Sequence, residues 1–369
     1  MLSAAKGDSH LSAIRGVAAL VVLVAHVVQI FFLRFWGLQS WPHLVSSAAS
    51  YYAVMVFFVL SGFLIAKSIE LNHQRNASFR MSEFVAARLA RLYPPFLVAV
   101  AISVLIYGAL ELFNLPGRSV PMRFGSDLYA ARETVSLSMS ELPKAVVMGA
   151  GLLDINGPLW SLYIEAKLYV IFACIYFLWV GQRSWLVIIG LLVTLWAGFR
   201  LNPEFAKYAA FWLIGSAFYF ASSRIQESSG RSAMVMSIPL IAVMVLIHLW
   251  GLIKAPNGGA GAGVPMFLDL LAAMIVSIAL FRWKLEVPFG DRIAEYSYSL
   301  YITHFPVLVL VQSVLVALGL ESFPAACGFA VLGAGAALIL ARSMRWIELS
   351  KDHIQNRILG MKFPLVTER

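Results

Sequence analysis

Apolar residues along this chain come in runs of about 20, each long enough to cross a bilayer as a helix. They fall at 11–33, 50–69, 84–111, 158–180, 185–199, 205–221, 234–253, 264–281, 293–318 and 323–343. The pattern predicts an all-α, polytopic transmembrane bundle of about ten membrane helices. The fifth and sixth runs are short and parted by little more than Arg200, Asn202, Pro203 and Glu204, so they are the pair most open to recounting. Residues 1–10 are too short and too weakly basic for a signal-peptide n-region, and no small-residue cleavage pattern follows. The first run is therefore expected to stay as a helix.

The polar intervals complete this outline. The stretch 112–157, with Pro116, Gly117, Asp127, Glu133, Glu141 and Pro143, is the long non-membrane segment, either a lid or binding loop or a connector, and part of it suits a surface helix. A glycine-rich outer turn is expected at 257–263. Residues 347–369 read as a short basic tail lying on the membrane surface, which leaves 1–346 as one transmembrane domain. No internal repeat with matching motifs is found, which weakens an inverted-repeat transporter reading.

Composition agrees with the pattern. The 369 residues are 60% hydrophobic and 13% charged, with a mean hydropathy of +0.81, whereas a soluble domain is roughly half apolar and a quarter charged. A net charge of +9 would suggest nucleic acid in a soluble protein. In a membrane chain it reflects Lys and Arg gathered in cytoplasmic loops, so no nucleic-acid partner is expected. With the N-terminus in the cytoplasm, 19 Lys and Arg fall on that side and 8 on the other, with Lys167 inside a span. Both termini are cytoplasmic on that count. Cys174 and Cys327 each lie in an apolar run and imply no disulfide framework.

Four constellations carry candidate chemistry. Arg15 and His26 lie eleven residues apart in the first run, a spacing that returns to nearly the same helix face, roughly 16 Å along the axis. Ionisable groups inside a bilayer face a protein interior and are candidates for function. A neutral imidazole can take a proton from a hydroxyl and return it to a leaving thiolate; a structural histidine bonded to a neighbouring helix is the other reading. Arg88 and Arg91, three apart, share a helix face at the cytoplasmic surface just before Pro94, which is expected to bend or restart the helix. Their guanidinium forks suit phosphates, or equally anionic lipid headgroups. Ser161, Glu165 and Tyr169 make a polar stripe down one face, with Trp160 beside it as a sugar-stacking or membrane-belt residue and Lys167 on another face. The last is Tyr296 to Pro306, where Ser299, Tyr301 and His304 precede a kinking proline. Such hydroxyl-rich spans also serve interhelical hydrogen bonding. His248 and Asp269 lie near outer span ends as weaker candidates.

In order and spacing these stretches resemble the membrane-bound acyltransferase-3 family, the bacterial integral-membrane O-acyltransferases of surface glycans. The resemblance is carried by Arg15-Gly16-Val17-Ala18-Ala19 with Val24-Ala25-His26, then Phe57-Phe58-Val59-Leu60-Ser61-Gly62-Phe63-Leu64-Ile65, then Arg88 through Pro94. It continues with Trp160-Ser161-Leu162, Glu165 and Tyr169, and with Ser297-Tyr298-Ser299-Leu300-Tyr301 and His304. No single stretch is specific; together they cover nearly the whole chain.

The resemblance implies about ten helices in the bacterial inner membrane. It also implies transfer of an acyl group, commonly acetyl, from cytoplasmic acyl-CoA to a hydroxyl of a cell-surface or lipid-linked saccharide. Acyl-CoA is then a donor substrate, with no permanently bound cofactor and no metal. It implies that His26 is essential, as base or as a transiently acylated group, and that Arg15, Arg88 and Arg91 matter for activity, here as phosphate-holding groups. Glu165 is expected to act in catalysis, orienting a sugar hydroxyl with Trp160 or fixing an imidazole as the third group of a relay; Ser161 and Tyr169 are expected at the acceptor, and Ser299, Tyr301 or His304 to stabilise an oxyanion. One departure is plain: relatives often carry two consecutive acids and then glutamine, where this chain has Glu165-Ala166-Lys167. A transporter or flippase of a saccharide or small anion is the rival reading, since it also accounts for arginines and ionisable groups at membrane depth.

Overall fold

The structure, a computed structural model, describes residues 9–117, 135–222, 242–251, 253, 264–282, 290–320 and 322–360. Among these residues every regular element is a helix. In chain order they are α1 (Ser9–Val27), α2 (Leu33–Trp36), α3 (Trp41–Asn76), α4 (Met81–Leu112), α5 (Glu141–Val146), α6 (Leu159–Trp179), α7 (Trp185–Leu201) and α8 (Phe205–Ser222). There follow α9 (Ala242–Gly251), α10 (Met266–Arg282), α11 (Gly290–Ala294), α12 (Ser297–Ala317), α13 (Phe323–Ser343), α14 (Arg345–Leu349) and α15 (Lys351–Ile358).

Each apolar run of the sequence carries a helix over at least part of its length. Six helical stretches among the described residues are long and apolar enough to cross a membrane: 10–36, 41–76, 81–112, 159–179, 297–317 and 323–349. Helices 185–201, 242–251 and 266–281 are apolar but shorter. The doubtful fifth and sixth runs are two separate helices, α7 and α8, parted at Asn202. The second span starts nine residues before the apolar run and reaches 36 residues, about 54 Å. Pro42 in its first turn favours that start, because its missing N–H is not needed there, and Ala77 in the left-handed region ends it. Pro94 and Pro95 do not restart α4, which runs through both. The glycine-rich stretch 257–263, loop residues 118–134 and the last tail residues, 361–369, lie outside the described residues.

Packing follows membrane rules, where close backbone approach replaces the hydrophobic drive between helices. Gly62 and Gly215 let α3 and α8 touch: a Cβ on Gly62 would lie 1.9 Å from the Trp212 carbonyl oxygen, and one on Gly215 would lie 2.0 Å from that of Val59. Ser216 adds a 3.0 Å bond to the Gly62 carbonyl. The α13 helix buries a small-residue stripe, Ala326, Ala330, Gly333, Ala337 and Ala341, against α12, while Val331, Leu332 and Ile339 stay exposed on its other face. The tail turns back on the bundle: α14 and α15 lie against α4, with Arg345 Nε 2.6 Å from Glu295 Oε2.

Candidate active site

Arg15 and His26 share α1, and the helix changes character directly below the histidine: residues Val28–Phe32 form a π-helical turn before α2. Such turns concentrate at functional sites. His26 Nδ1 lies 2.9 Å from His304 Nε2 on α12, and Phe305 packs edge-on at 5.1 Å between ring centres. The tautomers follow from the neighbours. His304 Nδ1 lies 2.9 Å from the Leu300 carbonyl oxygen, which only accepts, so Nδ1 carries the hydrogen. Neutral His304 then offers the Nε2 lone pair, His26 Nδ1–H donates to it, and the basic lone pair of His26 resides on Nε2. His304 is fully buried. The two histidines, assigned separate duties in the sequence, form one pair.

A partly open cavity of about 70 Å³ gathers most of the other candidates. Arg15, Arg88, Arg91, Ser161, Glu165, Tyr169 and Tyr301 line it, with Ser61 and Tyr298 added by the fold. Arg88 Nη2 donates to Ser68 Oγ at 3.2 Å, yet the Nε atoms of Arg15 and Arg88 are buried with no partner among the described residues. Arg91 is the like-charged neighbour of both. Three guanidinium groups thus face two nearby carboxylates, Glu165 and Glu348. Such a cluster is short of negative charge and of acceptors, the condition that an anionic ligand relieves.

Glu165 is held as an acceptor. Ser61 Oγ donates to its Oε1 at 2.6 Å, the Tyr169 hydroxyl donates to the same oxygen, and Trp212 Nε1 donates to Ser61 Oγ at 3.2 Å. The stripe of Ser161, Glu165 and Tyr169 therefore does share one face, with α3 and α8 completing its bonds. Ser161 Oγ lies 3.1 Å from the Pro158 carbonyl oxygen and 2.7 Å from the Tyr301 hydroxyl. The carbonyl only accepts, so Tyr301 donates to Ser161. Its proton is already committed, which counts against an oxyanion role in this state. Tyr301 stands between cavity and histidines, 6.3 Å ring to ring from His304. Neither His26 nor His304 lines the cavity itself.

Two further expectations change. Trp160 packs against Tyr208 at 4.7 Å and Phe58 at 6.4 Å and lies outside the cavity lining. Ser299 Oγ is buried without a partner among the described residues, and its backbone N–H donates to Glu348 Oε1 at 2.8 Å. The carboxylate thus caps the first turn of α12, where N–H groups lack helical acceptors and negative charge is favoured. Sequence reasoning missed Glu348 because it sits in a basic stretch after the last span; an isolated acid just past a membrane helix was the only signal. Ser61 stood in a quoted motif but was given no role. Lys167 donates to the carbonyls of Met148, Gly149 and Tyr163 at 2.9–3.1 Å. It fastens the loop ahead of α6 instead of serving the cavity. His248 and Asp269 form a separate buried pair at 2.8 Å, with Tyr52 2.8 Å from the other ring nitrogen.

Comparison with known proteins places this geometry. The sequence model of a family described as an acyltransferase domain matches residues 9–342. The chain is 25% identical to the O-acetyl transferase of Shigella phage Sf6 over 82% of its own length and 85% of the relative's. It is 27% identical to the peptidoglycan O-acetyltransferase OatA of Listeria monocytogenes over 96% of its length and 58% of the relative's. An uncharacterized protein of Haemophilus influenzae is 30% identical over 32% of this chain, which spans 46% of that relative. No solved structure matches.

Proposed function

The chain belongs to the acyltransferase domain family, and from that premise we propose that it moves an acyl group, acetyl in the simplest case, from cytoplasmic acyl-CoA to a saccharide hydroxyl. The observation that carries the reading is the convergence of Arg15, Arg88 and Arg91 on one cavity lined also by Tyr301, with the His26–His304 pair beyond that tyrosine. The arginines, near the starts of α1 and α4, meet Ser299 at the start of α12 and Glu348 on α14, just past the end of α13. Four helix ends on one side agree with an even number of crossings, which would leave both termini in the cytoplasm.

In the proposed reaction the donor phosphates lie on the arginines and the thioester reaches past Tyr301 to His26. A cavity of about 70 Å³ holds a few waters and no pantetheine arm, so donor entry opens it, and the Ser161–Tyr301 bond is the latch that yields. His26 Nε2 takes the proton as the acceptor oxygen attacks the thioester carbon. Collapse of the tetrahedral intermediate breaks the carbon–sulfur bond, and the imidazolium returns its proton to the thiolate, giving ester and free thiol. His304, accepting from His26 Nδ1, holds the ring in the reactive tautomer and shares the transient charge. Arg91→Glu is expected to raise the KM for acetyl-CoA at least about tenfold with little change for the acceptor, read by thiol release from protein in lipid nanodiscs. Equal losses for both substrates contradict the donor assignment, and wild-type protein that releases no thiol with any saccharide acceptor favours transport of an anion through the same arginines.

A further inference from the structure

The histidine pair lies beside a proline inside α12, and the carbonyl that this proline leaves without a helical donor has its own partner. In α12, Pro306 lacks the N–H that would bond the carbonyl of Ile302, and its ring pushes that carbonyl aside. A carbonyl stranded in a buried helix costs as much as a lost hydrogen bond unless something donates to it. Asn156, fully buried in the turn before α6, does so: its Nδ2 lies 2.8 Å from the Ile302 oxygen and 3.2 Å from Ser103 Oγ on α4. Ser103 spends its own hydrogen on the Ala99 carbonyl at 2.8 Å, so both neighbours of the amide nitrogen are acceptors and its orientation is fixed. The amide keeps this orientation although its Oδ1 has no partner among the described residues.

The turn that carries Asn156 is anchored on every side. Its backbone N–H donates to the Leu152 carbonyl at 2.8 Å, and its own carbonyl accepts from Leu159 at the start of α6. Tyr163 and Lys167, both on α6, hold the Gly151, Met148 and Gly149 carbonyls. The amide is therefore a strut from the helix of Glu165 to the helix of His304, landing two residues before the imidazole.

We propose that Asn156 is a positioning residue that holds the turn of α12 before Pro306, and with it the His304 ring, in register with His26. The proposal rests on the acyl-transfer reading for its kinetic consequence, while the Asn156–Ile302 bond stands apart from it. The test is a double-mutant cycle on the full chain in nanodiscs, with Asn156→Leu, Pro306→Ala and both together, each followed by thiol release and by thermal unfolding. Alanine at 306 supplies the missing N–H, so the amide loses its purpose. Asn156→Leu should lower kcat at least about tenfold with the donor KM within about threefold, and cost less than about threefold once Pro306→Ala is present. Losses of equal size in both backgrounds, a loss confined to KM, or an unchanged kcat overturn it. Should Asn156→Leu fail to fold, a folded double variant with kcat near that of Pro306→Ala supports the strut, and a double variant that also fails to fold overturns it. Inert wild-type protein defeats the acyl-transfer reading instead, and coupling in unfolding temperature then decides the Asn156–Ile302 bond without turnover.

Discussion

At the scale of single residues, the proposed reaction separates groups that act from groups that hold. His26 carries the basic lone pair and His304 sets its tautomer. His304→Ala should therefore lower kcat by about a hundredfold with the donor KM little changed. A comparable rise in KM would show the residue holding the donor instead. Glu348 opposes the arginines from the side. Glu348→Gln keeps an acceptor for the Ser299 N–H but removes a negative charge beside Arg15 and Arg91. Donor binding should tighten by about two- to fivefold, the size of one partly screened charge interaction, in an isothermal titration with acetyl-CoA. Weaker binding would mean that Glu348 matters as a salt-bridge anchor.

At the scale of elements, close packing by glycine sets the platform under Glu165. Ser61 and Gly62 are adjacent on α3: one bonds the carboxylate and the other admits the backbone of α8, whose Trp212 bonds Ser61 in turn. Gly62→Ala should cost about 1–3 kcal/mol and lower the unfolding temperature in detergent; unchanged stability would mean the two helices part freely. The apolar runs of the sequence foretold the helices well because membrane burial demands long uninterrupted apolar segments, and the arginine and α6 stripes followed from helical periodicity. What periodicity does not encode is which faces meet. The His26–His304 contact joins residues 278 apart. The π turn at Val28–Phe32 begins two residues past His26 and leaves no mark in the apolar pattern of the first run. The bond from Asn156 to Ile302 serves a carbonyl that exists as an orphan only because of a proline four residues on. Trp160, open in the sequence between sugar-stacking and membrane-belt residue, packs on Tyr208 and Phe58, neighbours that residue type alone does not foretell.

For the whole molecule, the proposed transfer takes its donor from one side and its acceptor from the other. The side assignment is checked by single cysteines in a chain freed of Cys174 and Cys327. Lys144→Cys on α5 should react with an impermeant thiol reagent in intact cells, and Asp352→Cys on α15 only after permeabilisation; the opposite pattern inverts the topology. The most direct test of the central claim compares wild-type and His26→Ala protein, both folded in nanodiscs, for acceptor-dependent thiol release from acetyl-CoA with mass detection of the acetylated saccharide. The account predicts turnover by the wild type and none above background by the variant. Undiminished ester formation by His26→Ala would contradict it.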